Sequence, residues 1–216
     1  MGIALQVSEI GEHEYDLNIY LSDRNNDRVL KITPDEIVEL GNDIEFNKPT
    51  GIALDGEGRI YVTDTNNDRL IILNTDSSLV KEIKHGFNKP TGIYVINIID
   101  NEGKVTDKEI YITDRNNDRL VKLNANGEIT MTIGGSQPVQ LNKLMGVYVN
   151  EQGYIYLTDT NNDRVLKFDE YGNLMMTLGK DGDFNKPIGI VLNNSSSILY
   201  VVDRNNDSIK IFGEVK

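Results

Sequence analysis

Apolar and polar positions alternate along this chain in short runs, and each run is stopped by Gly, Asn, Asp or Ser. The clearest stretch lies between residues 51 and 83. Residues 51–54 are short and apolar, and Asp55-Gly56-Glu57-Gly58 reads as a turn. Arg59-Ile60-Tyr61-Val62-Thr63 is rich in β-branched and aromatic residues, and a polar loop follows. Residues 70–73 are again apolar, 74–78 turn, and 79–83 form a last run. A period of two between turn residues predicts β-strands. No window carries a convincing amphipathic helical stripe, so the fold class expected is all-β.

This unit recurs. Asp23-Arg24-Asn25-Asn26-Asp27-Arg28 returns as Asp64-Thr65-Asn66-Asn67-Asp68-Arg69 and as Asp114-Arg115-Asn116-Asn117-Asp118-Arg119. It returns again as Asp159-Thr160-Asn161-Asn162-Asp163-Arg164 and Asp203-Arg204-Asn205-Asn206-Asp207-Ser208. The first Asp residues lie about 41, 50, 45 and 44 positions apart, the range of four-stranded propeller blades. A second phrase keeps step: Phe46-Asn47-Lys48-Pro49, Phe87-Asn88-Lys89-Pro90 and Phe184-Asn185-Lys186-Pro187, with Leu141-Asn142-Lys143-Leu144 as a degenerate copy. Each leads into a Gly-initiated apolar strand, and residues 2–5 supply that strand without the phrase.

These motifs, Ile-Tyr-Val-Thr-Asp-x-Asn-Asn-Asp-Arg-Leu and Pro-x-Gly-Ile-Ala-Leu, resemble the NHL repeat family over nearly the whole chain. The resemblance implies a β-propeller. NHL propellers usually have six blades, whereas five repeats are present here. The expectation is one five-bladed domain over 1–216, with blades at about 1–46, 47–87, 88–141, 142–184 and 185–216. With strands lettered a to d, the fifth repeat reaches strand c at 208–212 and leaves too few residues for strand d. Its last blade is therefore expected to be three-stranded, with an exposed edge that invites self-association. Closure is expected through side-chain packing between blades 1 and 5. Strand alternation puts the b–c loops and d–a connectors at one end of each blade, and the a–b and c–d turns at the other.

Charge narrows the function. The formal net charge is −12, which argues against nucleic acid and anionic membranes as partners. Most of the acidity falls in the a–b and c–d turns, Asp55, Glu57, Asp107 and Glu170 among them, and is read as solvated. There is no cysteine, hence no disulfide or thiolate site. No signal-peptide pattern or membrane-spanning run is evident, which favours a cytoplasmic location.

Candidate chemistry is sparse. Asp23, Asn25 and Asp27 have the spacing of the first ligands in a calcium loop, but Arg28 and Pro34 stand where Gly and Glu are needed. The motif residues are therefore read as structural: the first Asp accepting backbone N–H groups of its own loop, an Asn adopting the left-handed conformation, and the Arg tying the loop down. This covers Asp23, Asn25, Asp27, Arg28, Asp64, Asn66, Asp68, Arg69, Asp114, Asn116, Asp118, Arg119, Asp159, Asn161, Asp163, Arg164, Asp203, Asn205 and Asp207. Ser208 in place of Arg implies a looser fifth loop. Lys48, Lys89, Lys143 and Lys186 are candidate binding residues at the loop end. Phe46, Phe87 and Phe184 are read as packing.

Amidating lyases and lactonases of related fold build channel sites from His, Glu or Asp. Here strand a offers aliphatic residues with Tyr94 and Tyr148, and the chain's two histidines are His13 and His85. No metal, cofactor or catalytic set is expected. The leading function is a non-catalytic scaffold binding protein partners. The alternatives are a lectin-like or small-ligand binder with repeated sites at the loop end and, less favoured, a channel-metal lyase or lactonase-like hydrolase.

Overall fold

The computed structural model describes residues 2–11, 14–135, 139–179, 182–193, 195 and 197–213. The chain is a five-bladed β-propeller of antiparallel sheets. The first sheet contains β1 (Ile3–Gly11), β2 (Glu14–Asp23), β3 (Arg28–Ile32) and β4 (Ile37–Leu40) in that order. The second contains β5 (Pro49–Leu54), β6 (Ile60–Asp64), β7 (Arg69–Leu73) and β8 (Leu79–Ile83). The third contains β9 (Pro90–Ile99), β10 (Val105–Asp114), β11 (Arg119–Asn124) and β12 (Ile129–Gly134). The fourth contains β13 (Val147–Val149), β14 (Ile155–Asp159), β15 (Arg164–Phe168) and β16 (Leu174–Leu178). The fifth has three strands among the described residues, β17 (Pro187–Asn193), β18 (Ile198–Asp203) and β19 (Ser208–Phe212), so β19 is an edge.

Two compact units emerge, residues 1–108 and 109–216. In the first, the core is the seam between blades 1 and 2. Tyr20, Val29 and Leu40 of blade 1 pack with Ile52, Ile60, Val62, Ile71 and Leu73 of blade 2, and Phe46 closes one end. Period-two alternation explains the division of labour. Cross-strand partners Ser22, Val29 and Leu40 share the face of blade 1 that looks forward to blade 2. Ile52, Val62 and Ile71 share the rear face of blade 2. Full burial of such aliphatic side chains stabilises by about 1.5–3 kcal/mol each. Leu54, at the end of strand β5, is only half-buried against this core. In the second unit, blade 4 repeats the pattern with a row of Tyr148, Tyr156, Lys167 and Met176 across its forward face.

A hydroxyl pins each seam near strand a. Thr63 Oγ1 accepts from Gly51 N (2.7 Å) within its blade and donates to Thr91 O (2.6 Å) of the next. Ser22 does the same between Gly2 N and Thr50 O, both at 2.6 Å. Thr158 repeats it between Gly146 N (2.7 Å) and Ile188 O (3.1 Å). Glycine is required there, because a Cβ on Gly51 would lie 2.2 Å from Thr91 O.

At the a–b turns of blades 1 and 3 the strands extend as long hairpins: β1 and β2 pair out to Gly11 and Glu14, and β9 continues to Ile99 before β10 begins at Val105. Among the described residues no helix is long and apolar enough to cross a membrane.

Candidate functional site

The b–c loops of blades 2 to 5 are single 3₁₀ turns, and that of blade 1 is a hydrogen-bonded turn with Asn26 N on Asp23 O at 3.1 Å. Each closes on the second Asp in the left-handed conformation: φ is 55° at Asp27, 53° at Asp68, 50° at Asp118 and Asp163, and 46° at Asp207. It is the second Asp, and not an Asn, that takes this role. Asp and Asn both tolerate left-handed backbone because their short polar side chains bond locally.

The two Asp residues of the motif divide a clamp between neighbouring blades. Asp64 Oδ1 accepts Asn47 N (2.7 Å), while Asp27 Oδ1 of the preceding blade accepts Lys48 N (2.7 Å). Two consecutive amides of one connector are thus held from both sides. Asp159 and Asp118 hold Asn142 N and Lys143 N in the same way, both at 2.7 Å. Asp203 and Asp163 hold Asn185 N (2.7 Å) and Lys186 N (2.8 Å). The backbone donors to the first Asp therefore come from the connector, which corrects the expectation that its own loop would supply them. From its own loop Asp64 Oδ2 accepts Asn67 Nδ2 (2.8 Å) and Arg69 Nε (2.7 Å). Arg69 also donates to Glu45 O (2.8 Å).

The remaining predicted residues fall into the same network. Asn66 and Asn161 each form a side-chain bond to the connector Asn, at 2.9 and 3.1 Å, and Asn205 does so at 3.0 Å. Lys89 and Lys143 Nζ each donate to a loop Asn Oδ1 at 3.1 Å, Lys186 Nζ lies 3.4 Å from Asp163, and Lys48 Nζ lies 3.8 Å from Asp27. The lysines fold back onto their own clamps. Asn25 and Asp207 are exposed, and Ser208 Oγ is buried without a hydrogen-bond partner among the described residues.

Phe46, Phe87 and Phe184 are buried against the connectors. Among the described residues no three His, Cys, Asp or Glu side chains converge as metal ligands would. His13 lies outside the described residues, and His85 packs edge-on against Phe87.

A cavity of 690 Å³ opens at this end of blade 4, bounded by Asn162, Arg164, Thr177, Phe184, Asn185 and Asn206 among others. Arg164 donates Nε to Asp159 (2.8 Å) and an Nη to Gln140 O (2.9 Å), which leaves the other Nη uncommitted among the described residues. In blades 1 and 2 a strand-d carboxylate approaches the equivalent arginine: Glu39 at 3.9 Å from Arg28 and Glu82 at 3.4 Å from Arg69. Blade 4 has Thr177 at that register position.

Sequence reasoning missed a second cluster, at the a–b turns. Asp55 was read as solvated, but it is buried, with Lys108 Nζ and Tyr61 OH (2.9 Å) on Oδ2 and Glu57 N and Arg59 N on Oδ1 (both 2.9 Å). Glu57 also meets Lys108 Nζ at 2.9 Å. Burial pushes the Asp55 carboxyl up, but the bonds from Lys108, Arg59 and Tyr61 outweigh it and hold it below the usual range. Burial and then the Asp55 charge push the Tyr61 hydroxyl up. In blade 4 the buried Lys167 ammonium instead sits 4.1 Å from the Tyr154 ring centroid, and desolvation lowers its pKa. The only sequence signal was the lysine inside an otherwise alternating strand.

The NHL repeat model matches residues 46–73, which hold the connector, β5, β6, the b–c loop and β7 of blade 2, within a chain folded as a β-propeller. Solved structures agree on the fold. Virginiamycin B lyase from Staphylococcus aureus superposes with a TM-score of 0.70 at 16% identity, over 100% of this chain and 70% of that one. A streptogramin B lyase gives 0.70 at 16% identity, over 99% and 74%. A chain of a nidogen/laminin complex gives 0.71 at 18% identity, over 98% and 74%. These neighbours include enzymes and a protein-binding protein, and at such identity they share the fold alone. No curated protein matches the chain.

Proposed function

We propose that this propeller is a non-catalytic interaction module that seats a protein partner on its b–c loop end, with the blade 4 cavity as anchor for an acidic side chain. The observation that carries the reading is Arg164. Its neutralising strand-d carboxylate is replaced by Thr177, and one guanidinium nitrogen faces an open cavity on a backbone already fixed by clamps. A guanidinium fork matches a carboxylate geometrically, and charge-assisted bonds of this kind are the stronger ones. The cavity lining offers a guanidinium, side-chain amides and a hydroxyl, groups that seat a polar partner, and this supports binding over the lyase-like alternative. Repeated equivalent sites of the lectin kind fit less well, since blades 1 and 2 fill the same position with Glu39 and Glu82.

The test is calorimetric titration with a peptide library fixed at a central Glu, against the same library fixed at Gln. Preference for Glu is expected, and Thr177→Glu, which supplies the carboxylate seen in blade 2, should weaken that binding about tenfold or more. Equal binding of both libraries, or an unaffected variant, overturns the reading.

A further inference from the structure

The residue after the first Asp of each b–c loop divides the repeats. In blades 2 and 4 it is a buried threonine whose hydroxyl donates to the first strand-a carbonyl of the next blade. Thr65 reaches Pro90 O and Thr160 reaches Pro187 O, both at 2.7 Å. In blades 1, 3 and 5 it is an arginine: Arg24, Arg115 and Arg204. Arg24 and Arg204 are exposed, and water carries their charge. Arg115 is different. It is half-buried, and among the described residues no acceptor or carboxylate meets its guanidinium. Nε is the one nitrogen of the three that is sealed without a partner, so the Nη groups reach solvent.

The acids of its own loop are already engaged. Asp114 Oδ2 accepts Asn117 Nδ2 (2.8 Å) and Arg119 Nε (2.7 Å), and Asp118 Oδ1 accepts Lys143 N (2.7 Å). A guanidinium cannot shed its proton to relieve a partly desolvated position, so the charge calls for an anion from outside. Packing at Nε also holds the head still, and the two Nη groups form an end-on fork with little freedom left to lose on binding. Arg115 stands outside the blade 4 cavity, on the neighbouring loop. The two loops are locked to each other, because Asp118 of blade 3 and Asp159 of blade 4 hold the adjacent amides Lys143 N and Asn142 N. Arg115 and Arg164 therefore share one rigid base.

We infer that Arg115 is a second carboxylate anchor, so that the partner is an acidic segment bearing two Glu or Asp side chains, one for Arg164 and one for Arg115. The identity of the partner rests on the reading of Arg164, whereas the anion site stands on Arg115 alone. With a formal charge of −12 on the chain, long-range steering opposes an acidic partner. Recognition then falls to contacts made at fixed forks, and two such forks select a pattern of acids over acidity in general.

Nitrogen-15 labelling of arginine reads the site directly, with acetate as the probe. A sealed Nε–H exchanges slowly and should give a sharp resonance, assigned by its loss in Arg115→Lys. That resonance should shift saturably with acetate, while those of Arg24 and Arg204 should not saturate. A resonance that stays still, or that follows the exposed arginines, overturns the anion site whatever happens at Arg164. Calorimetry then tests the pairing with peptides fixed at a central Glu. A second Glu at one flanking position should raise affinity about tenfold in the wild type and leave Arg115→Gln unchanged. Circular dichroism checks that the variant folds. An equal gain in Arg115→Gln, or no gain at any position in the wild type, overturns the second anchor. No preference for the central Glu, with the acetate response intact, overturns the Arg164 reading and with it the two-acid partner, while the anion site stands.

Discussion

Asp64 does two jobs with two oxygens: one holds the incoming connector through Asn47 N, the other holds its own loop through Asn67 and Arg69. Its side chain has no solvent exposure. Asp64→Ala strands a backbone donor and a guanidinium together, and should cost about 2–3 kcal/mol in urea unfolding at neutral pH. Blade 5 offers the converse. Asp203 keeps the connector bond and Asn206, but Ser208 stands where the arginine would be. Ser208→Arg should restore the fork and raise the urea midpoint, by the equivalent of about 1 kcal/mol. A lowered midpoint in that variant would mean that the fifth loop has no room for the side chain. The motif itself was legible in the sequence, because Asp, Asn and Arg at fixed offsets announce turn chemistry. Which amide each carboxylate takes was not, since the donors sit 17 and 21 positions away and belong to another blade.

At the scale of strands and hairpins, alternation placed the short strands of blade 2 well, and it did not mark the lengths of β1, β2, β9 and β10. Residues 97–109 mix charge with β-branched residues, a composition shared by loops and solvent-exposed hairpins. The extension of β10 matters because it carries Lys108 to Asp55. Acidic turns read locally look solvated; only tertiary placement reveals a buried cation among them. Asp55 is more acidic folded than free, so its contribution is complete above the unfolded pKa of about 3.9 and is lost as pH falls through the lower folded value. The gap in urea midpoint between wild type and Asp55→Asn should therefore be flat from pH 7 to about 5 and close below about pH 4. A gap that persists at the acid end would show that packing, and not the charged pair, sets the loss.

For the molecule as a whole, the five repeats were readable from periodicity, and the structure has five sheets, the last with three strands among the described residues. The loop-end cavity was not, because it depends on Thr177 replacing a glutamate across a strand pair rather than on any motif. The clamp described at the connectors has a further consequence for where this chain tolerates added sequence. Two adjacent amides of each connector are spoken for by two blades, so an insertion after Asn47 pulls apart a junction held from both sides. The turn at Gly103 has no such duty. It is exposed, has φ of 80°, and a side chain there would meet nothing within 4 Å. A short epitope tag placed at Gly103 should leave the unfolding midpoint unchanged, whereas the same tag between Asn47 and Lys48 should lower it sharply or prevent folding. The natural module is therefore bounded by its hairpin turns, and cargo, labels or fused domains belong there rather than at the joints between blades.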